Sequence, residues 1–345
     1  MGLHSLPQPK TSMKRVLKVL GGLVLLSASA LLAAKIALAR PSINDGSRPA
    51  GYASTHAMMA AYALKELKLV DLNPPLPAGV VERKDIEYGK VGQRALLLDL
   101  FSPVPTPKNA PGLIFIHGGG WKGGRRQDYR VYTTHFAKLG YVVATISYRL
   151  VPEAPFPACV QDAKNAVRWM RAQAGSLGID AQHIAVIGGS AGGHLAMMVG
   201  YSSDLKELEG NGGYPEVSSS VSAVVNFYGP ADLTTPFAIA SGLVKELLDG
   251  KSFEQAPELY RQASPMAHLQ QGAPPTLIFH GTLDEIVPID QADSLSAKLK
   301  SLNVPHEYGR MEGWPHTMDA AQAVNAYAKR KMEAFLLKHL GPLTP

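Results

Sequence analysis

Four short stretches of this 345-residue sequence carry residue types that do chemistry together. The first is Gly188-Gly189-Ser190-Ala191-Gly192, set between the apolar run "IAVI" and the helix-like "HLAMMVG". It matches G-x-S-x-G. Glycines on both sides of the serine remove the Cβ atoms that would collide where a strand turns sharply into a helix. The turn lifts the hydroxyl clear of the backbone, near a helix N-terminus. Two blander readings compete: a solvated glycine-rich turn, and a phosphate cradle at a helix start. No Lys follows as a phosphate-binding loop requires. The strand-turn-helix setting favours a nucleophile.

The second stretch is "HGGGW", His117 to Trp121, directly after the apolar run "GLIFI". When a hydroxyl attacks a carbonyl, the carbonyl oxygen becomes an oxyanion and is stabilised by two or three aimed donors. Backbone N–H groups in a triple-glycine loop can point inward without side-chain obstruction. Gly118 and Gly119 are the candidates, with the Ala191 N–H completing the hole. His117 reads as a residue that holds the loop. Trp121 stands beside the loop and is a candidate substrate-binding residue, narrowing the acyl side; the alternative is that it packs in the core.

A serine is a poor nucleophile without a base, and the base needs an orienting acid. The expected chain order is serine, acid, histidine. Asp284 in "HGTLDEIVP" and His316 in "EGWPHT" satisfy that order, each just past an apparent strand. Rivals are weaker. Asp232 also follows a strand, but one strand too early for the commoner placement, and Glu285 reads as solvated. His194 reads as packed on its helix, His280 as a turn residue, and His306 as part of a strand. Asp162 reads as a tether for a neighbouring loop. No His, Cys, Asp and Glu residues fall at metal-ligand spacing, and no G-x-G-x-x-G opens a helix after a first strand. Neither a metal nor another cofactor is expected.

The elements that must position these residues alternate. "ALLLDLF", "GLIFIH", "YVVATISY", "IAVIG", "VSAVVNFYG", "TLIFHG" and "HEYGRM" read as strands, several of them apolar throughout, as in a sheet covered on both faces. Between them "YRVYTTHFAKLG", "VQDAKNAVRWMRAQAGSLG", "GHLAMMVG" and "QADSLSAKLKSLN" read as helices, and "AVNAYAKRKMEAFLLKHL" as the last one. This alternation predicts an α/β fold: a mostly parallel, twisted sheet with helices on both faces. Chemistry in such sheets sits at the carboxyl ends of strands, where each residue singled out above falls.

Taken in order, "HGGGW", "SYRLVPEAPFPACVQD", "GGSAGGHLA", "FYGPADL", "HGTLDEIVP" and "WPHT" resemble the α/β-hydrolase superfamily. Within it they are most similar to the hormone-sensitive-lipase-like esterases and the related bacterial carbohydrate and feruloyl esterase branch. The resemblance covers about residues 81–340 and implies the same triad and oxyanion assignments. Two features depart from it. Pro315 and Trp314 precede the histidine where a small residue is usual, and no elaborate N-terminal cap is evident. A small or partial cap is expected, drawn from residues 41–79, 202–220 or 233–272.

Residues 1–39 form another region. They hold Lys10, Lys14, Arg15, Lys18 and Lys35 and no acid, so the formal net charge of +6 falls to +1 without them. The body is near neutral, which argues against a nucleic-acid partner. A basic cluster, the apolar run Val19 to Ala34, and Ala37-Leu38-Ala39 fit an export signal cleaved before Arg40. The alternative is an uncleaved inner-membrane anchor over residues 14–39, with Lys35 snorkelling. Either way the membrane is met only through this segment, and the location is periplasmic, secreted or inner-membrane anchored. Residues 40–80 read as a helical extension and linker, and 81–341 as the catalytic domain. The lone Cys159 allows no intramolecular disulfide.

The expected activity is that of a serine carboxylic-ester hydrolase on short-acyl esters, small or carbohydrate-linked. Alternatives on the same fold are an amide hydrolase (arylformamidase or peptidase-like), a lipase, and a binding protein on an inactive scaffold.

Overall fold

The computed structural model describes residues 47–106, 108–203 and 205–343. Residues 1–39, expected to form an export signal or anchor, lie outside them. No described helix is long and apolar enough to cross a membrane.

Eight strands form one sheet in the order β1-β2-β4-β3-β5-β6-β7-β8. They are β1 (Val80–Val91), β2 (Arg94–Pro103), β3 (Ala110–Ile116), β4 (Val142–Ile146), β5 (Ile179–Gly189), β6 (Ala223–Phe227), β7 (Thr276–Gly281) and β8 (His306–Met311). β1 pairs antiparallel with β2, and β2 with β4; every other pairing is parallel. The expected mostly parallel sheet is present.

The longer helices are α1 (Thr55–Ala63), α2 (Arg130–Leu139), α3 (Ala158–Ala172), α4 (Ala191–Tyr201), α5 (Asp290–Ser301) and α6 (Gln322–Leu340). Every residue of β3 is buried. Leu113 and Phe115 pack with α2 and α6, while Ile114 and Ile116 pack in the core on the opposite face with α3, α4 and α5. Two-faced burial explains the unbroken apolar runs: both sides of the pleat are interior.

The structure departs from the sequence reading where charge or local capping intervenes. β1 was not legible as a strand because "VVERKDIEYGKV" shows no clean alternation. It is the sheet's edge, its register shifts between Arg83 and Ile86 and between Glu87 and Gly89, and its charges discourage pairing with another chain. In the helical extension expected within residues 40–80, the helix is only Thr55–Ala63, capped by Ser54 and followed by Lys65 at φ 61°. The helix expected to run on to "GSLG" stops at Ala172, and a separate short turn, Ala174–Leu177, closes on Gly178. Within the 233–272 insert, Pro236–Ala240 and Gly242–Leu247 are two short helices split at Ser241, whose hydroxyl caps the second.

Segment 202–220 lies against α3. Lys164 and Arg168 reach Glu209 at 2.6 and 2.5 Å.

Candidate active site

β5 ends at Gly189, α4 begins at Ala191, and Ser190 is the single residue between them. Its backbone sits at φ 56°, ψ −124°, a region costing about 1–3 kcal/mol that persists only where the surroundings dictate it. Here the Ser190 N–H donates to Phe227 O at the end of β6 (2.9 Å). Gly192 lets the turn close: a Cβ there would lie 2.0 Å from Ile116 O. Strand-end carbonyls thus fix the elbow from both neighbouring strands.

The loop after β8 brings His316 to the serine. His316 Nε2 lies 3.0 Å from Ser190 Oγ, and Nδ1 lies 2.6 Å from Asp284 Oδ2. Asp284 follows β7, and its Oδ1 accepts the N–H groups of Ile286 (2.9 Å) and Val287 (2.8 Å). Burial alone would push this carboxyl up, but hydrogen bonds from His280, His316 and the Val287 N–H outweigh it and draw it down to about 2. An ionised Asp284 requires the His316 proton on Nδ1, which leaves Nε2 free to accept from Ser190. The structure brings together the three residues that chain order singled out.

Two supporting groups were not recognised from sequence. His280 read as a turn residue, but it is a fully buried member of β7. Its Nε2–H donates to Val287 O (2.8 Å) and lies 3.2 Å from Asp284 Oδ2. The signal was its spacing, four residues before the acid on the same strand end. Tyr228, at φ 40°, sets its ring 4.5 Å from the His316 ring, and its hydroxyl donates to Asp319 Oδ1 (2.5 Å). Asp319 lies in the turn Met318–Ala320, and burial pushes its carboxyl up. Nothing in its local sequence distinguishes it.

The glycine loop faces the serine. Gly118 and Gly119 line the same cleft as Ser190 and His316, and among the described residues no hydrogen bond uses either N–H. Gly119 is at φ 108°, which a side chain resists. The Ala191 N–H belongs to the first turn of α4, where amides have no partner within the helix. His117 anchors the loop: its Nδ1 is 2.8 Å from Gly118 O, its ring stacks on Tyr148 at 4.4 Å, and Tyr148 donates to His117 O. Burial lowers its pKa.

Trp121 is elsewhere. It is 4% exposed, does not line the cleft, and packs in the core beneath it. Its indole N–H donates to His194 Nδ1 (3.2 Å), so His194 Nε2–H donates to Ala263 O (2.8 Å). Burial holds His194 neutral, down to about 4. The expected substrate contact is therefore a structural strut between the glycine loop, α4 and the β6–β7 segment.

The rivals have other partners. Asp232 accepts from Thr234 N (2.8 Å) and Oγ1 (2.6 Å), capping its own loop. Glu285 accepts from Thr55. His306 meets Ser296. Asp162 is held by Arg149 at 2.7 to 3.0 Å and fixes the loop after β4, the tether read from the sequence. Among the described residues no His, Cys, Asp or Glu cluster could hold a metal ion.

Above Ser190 opens a cleft of about 560 Å³. Val131 and the rings of Tyr129 and Tyr132 come from α2 and the turn before it, Leu243 from the β6–β7 segment, Ile286 from the loop after Asp284, and Val70 and Leu72 from the N-terminal extension. Both the extension and the 233–272 insert thus contribute to its walls. Segment 202–220 does not.

A serine on a strand-to-helix elbow, with acid and histidine after later strands of such a sheet, defines an α/β-hydrolase. The chain belongs to the BD-FAE family, whose profile matches residues 98–299. It is 36% identical over 231 residues to esterase LipC of Mycobacterium tuberculosis, an alignment covering 65% of this chain and 56% of LipC. Among solved structures, Thermogutta terrifontis esterase 2 phosphoramylated by tabun superposes with a TM-score of 0.66 at 28% identity, covering 80% of this chain and all of that one. The same esterase with propionate bound gives a TM-score of 0.65 at 29% identity, covering 80% of this chain and 99% of that one. The chain spans less than two thirds of the length of LipC and the other mycobacterial esterases that it matches.

Proposed function

We propose that this protein is a serine carboxylic-ester hydrolase that acts on short-acyl esters through Ser190, Asp284 and His316. The observation that carries the reading is the continuous chain of contacts from Ser190 Oγ through His316 to Asp284, at 3.0 and 2.6 Å, opening into the cleft. Ser190 Oγ attacks the ester carbonyl as its proton passes to His316 Nε2. Asp284 holds the tautomer and stabilises the imidazolium. The N–H groups of Gly118, Gly119 and Ala191 receive the oxyanion. His316 then gives its proton to the departing alkoxide, leaving an acyl-Ser190 ester. Water, deprotonated by the same nitrogen, releases the acid and restores the serine. The tabun adduct of the Thermogutta esterase supports a comparable nucleophile here, and its bound propionate supports a short acyl group.

The substrate class is tested with kcat/KM over aryl esters from acetate to palmitate, alongside acetylated xylan, methyl ferulate and a formanilide. The expected maximum lies between acetyl and hexanoyl. An optimum at ten carbons or more would replace the short-acyl reading with a lipase, and a formanilide turned over faster than every ester would replace the ester class.

The basic and apolar character of residues 14–39 supports export of the protein. N-terminal sequencing of protein from the native host is expected to begin near Arg40. Full-length protein in the membrane fraction would mean an anchor, and full-length cytosolic protein would contradict export.

A further inference from the structure

The family profile begins at residue 98, yet the chain before it holds the loop that carries His316. The fastening has two ends. At one, the Trp314 indole N–H donates to Pro49 O (3.0 Å), the Tyr52 N–H donates to Gly313 O (2.7 Å), and the Tyr52 ring meets Trp314 edge-on at 5.5 Å. Gly51 passes so close that a Cβ there would lie 2.2 Å from Glu312 O. At the other end, the Val70 N–H donates to Ala320 O (2.8 Å) and the Gln322 N–H to Lys68 O (2.9 Å), with Leu69 bridged to Ala321. His316 sits between the two fastenings. Trp314 O also accepts the Leu283 N–H (2.9 Å), one residue before Asp284, which couples the histidine loop to the acid's loop.

Beside the second fastening the extension reaches the cleft. Val70 and Leu72 line it. Leu72 is 57% exposed, so folding gains little from it. With Ile286 and Leu243, 57% and 42% exposed, it lines the cleft as part of a cluster of exposed apolar side chains, the kind of surface that marks a ligand-binding groove.

We propose that residues Pro49–Leu72 are a working part of the active site: they position the His316 loop, and they supply the wall that takes the apolar part of the ester. The proposal rests on the triad reading above. Its physical basis is that His316 must keep two short hydrogen bonds at once, and a displacement of about 1 Å costs on the order of 100-fold in rate.

The test uses full-length protein, with kcat and KM for aryl acetate and hexanoate, the rate of fluorophosphonate labelling, and Tm. Leu72→Ala is expected to keep its Tm and to raise KM for hexanoate about five- to tenfold relative to acetate, with kcat within about twofold, the scale of part of a leucine side chain's burial. Gly51→Ala lifts the extension from the loop. It is expected to lower kcat on acetate at least about tenfold and to slow labelling in parallel. Trp314→Phe keeps the ring and loses the N–H to Pro49, and is expected to change kcat in the same direction without the steric clash. An unchanged hexanoate-to-acetate ratio in Leu72→Ala would remove the wall from the site. Unchanged kcat in both Gly51→Ala and Trp314→Phe would remove the positioning role. A wild-type protein that the probe does not label would instead overturn the serine-hydrolase reading, so the two failures are distinct.

Discussion

Ser190→Ala is expected to lower kcat by roughly 10⁴ to 10⁶ and to abolish labelling by a fluorophosphonate, with the fold intact. The expectation follows from the geometry at the elbow. The substitution removes only Oγ, whose one side-chain contact is His316 Nε2 at 3.0 Å. The backbone bond from Ser190 N to Phe227 O and the close approach of Gly192 to Ile116 remain. Turnover, labelling and Tm should be read on one preparation. A variant that retained wild-type turnover at unchanged Tm would sink the proposed mechanism, whatever the substrate.

The second large effect is expected at the acid. Asp284→Asn should lower kcat by about 10³ to 10⁴, while Asp232→Asn should change it little. An amide at position 284 can donate to His316 Nδ1. That favours the tautomer with the proton on Nε2, which cannot accept from Ser190. Asp232 only caps Thr234. The reverse ranking would move the acid to the end of β6. The same substitution has a stability signature. The folded Asp284 carboxyl is drawn down to about 2, below its ordinary value of 3.8, so its stabilisation is present above the ordinary value and lost as pH falls towards 2. That contribution is about 2 kcal/mol. Acid unfolding should show the wild type losing this stability between about pH 4 and pH 2, and Asp284→Asn lacking the same loss.

Much of this site was legible in the sequence because its physics is local. An elbow needs small residues within two positions of the serine, and a glycine loop needs its glycines in a row. Parallel strands buried on both faces announce themselves as unbroken apolar runs. What was not legible depends on contacts across the chain. β1 hides its strand character behind six charged residues that the edge of a sheet tolerates. Trp121 stands next to the glycine loop in sequence but turns, at φ 58°, into the core against His194, 73 residues away. His280 carried a spacing signal, four residues before Asp284, but its role shows only in the loop that returns Val287 and Asp284 to it. Tyr228 supports His316 from another strand end, and no spacing rule links positions 228, 316 and 319.

The fastening of the extension to the histidine loop also sets an order of events in folding. Pro49 and Trp314 are 265 residues apart, and Leu69 and Gln322 are 253 apart. Closing so long a loop yields no reward until both ends are in hand, so such contacts form after the local ones. During synthesis the first half of the clasp waits for residues 313–322 to emerge. The elbow, the glycine loop and the central strands can assemble before then, but His316 is held from both sides only when segments 253 to 265 residues apart meet. A chain whose clasp has not yet closed therefore presents Ser190 before His316 is held, and under the proposed mechanism catalytic competence arrives with the completion of folding.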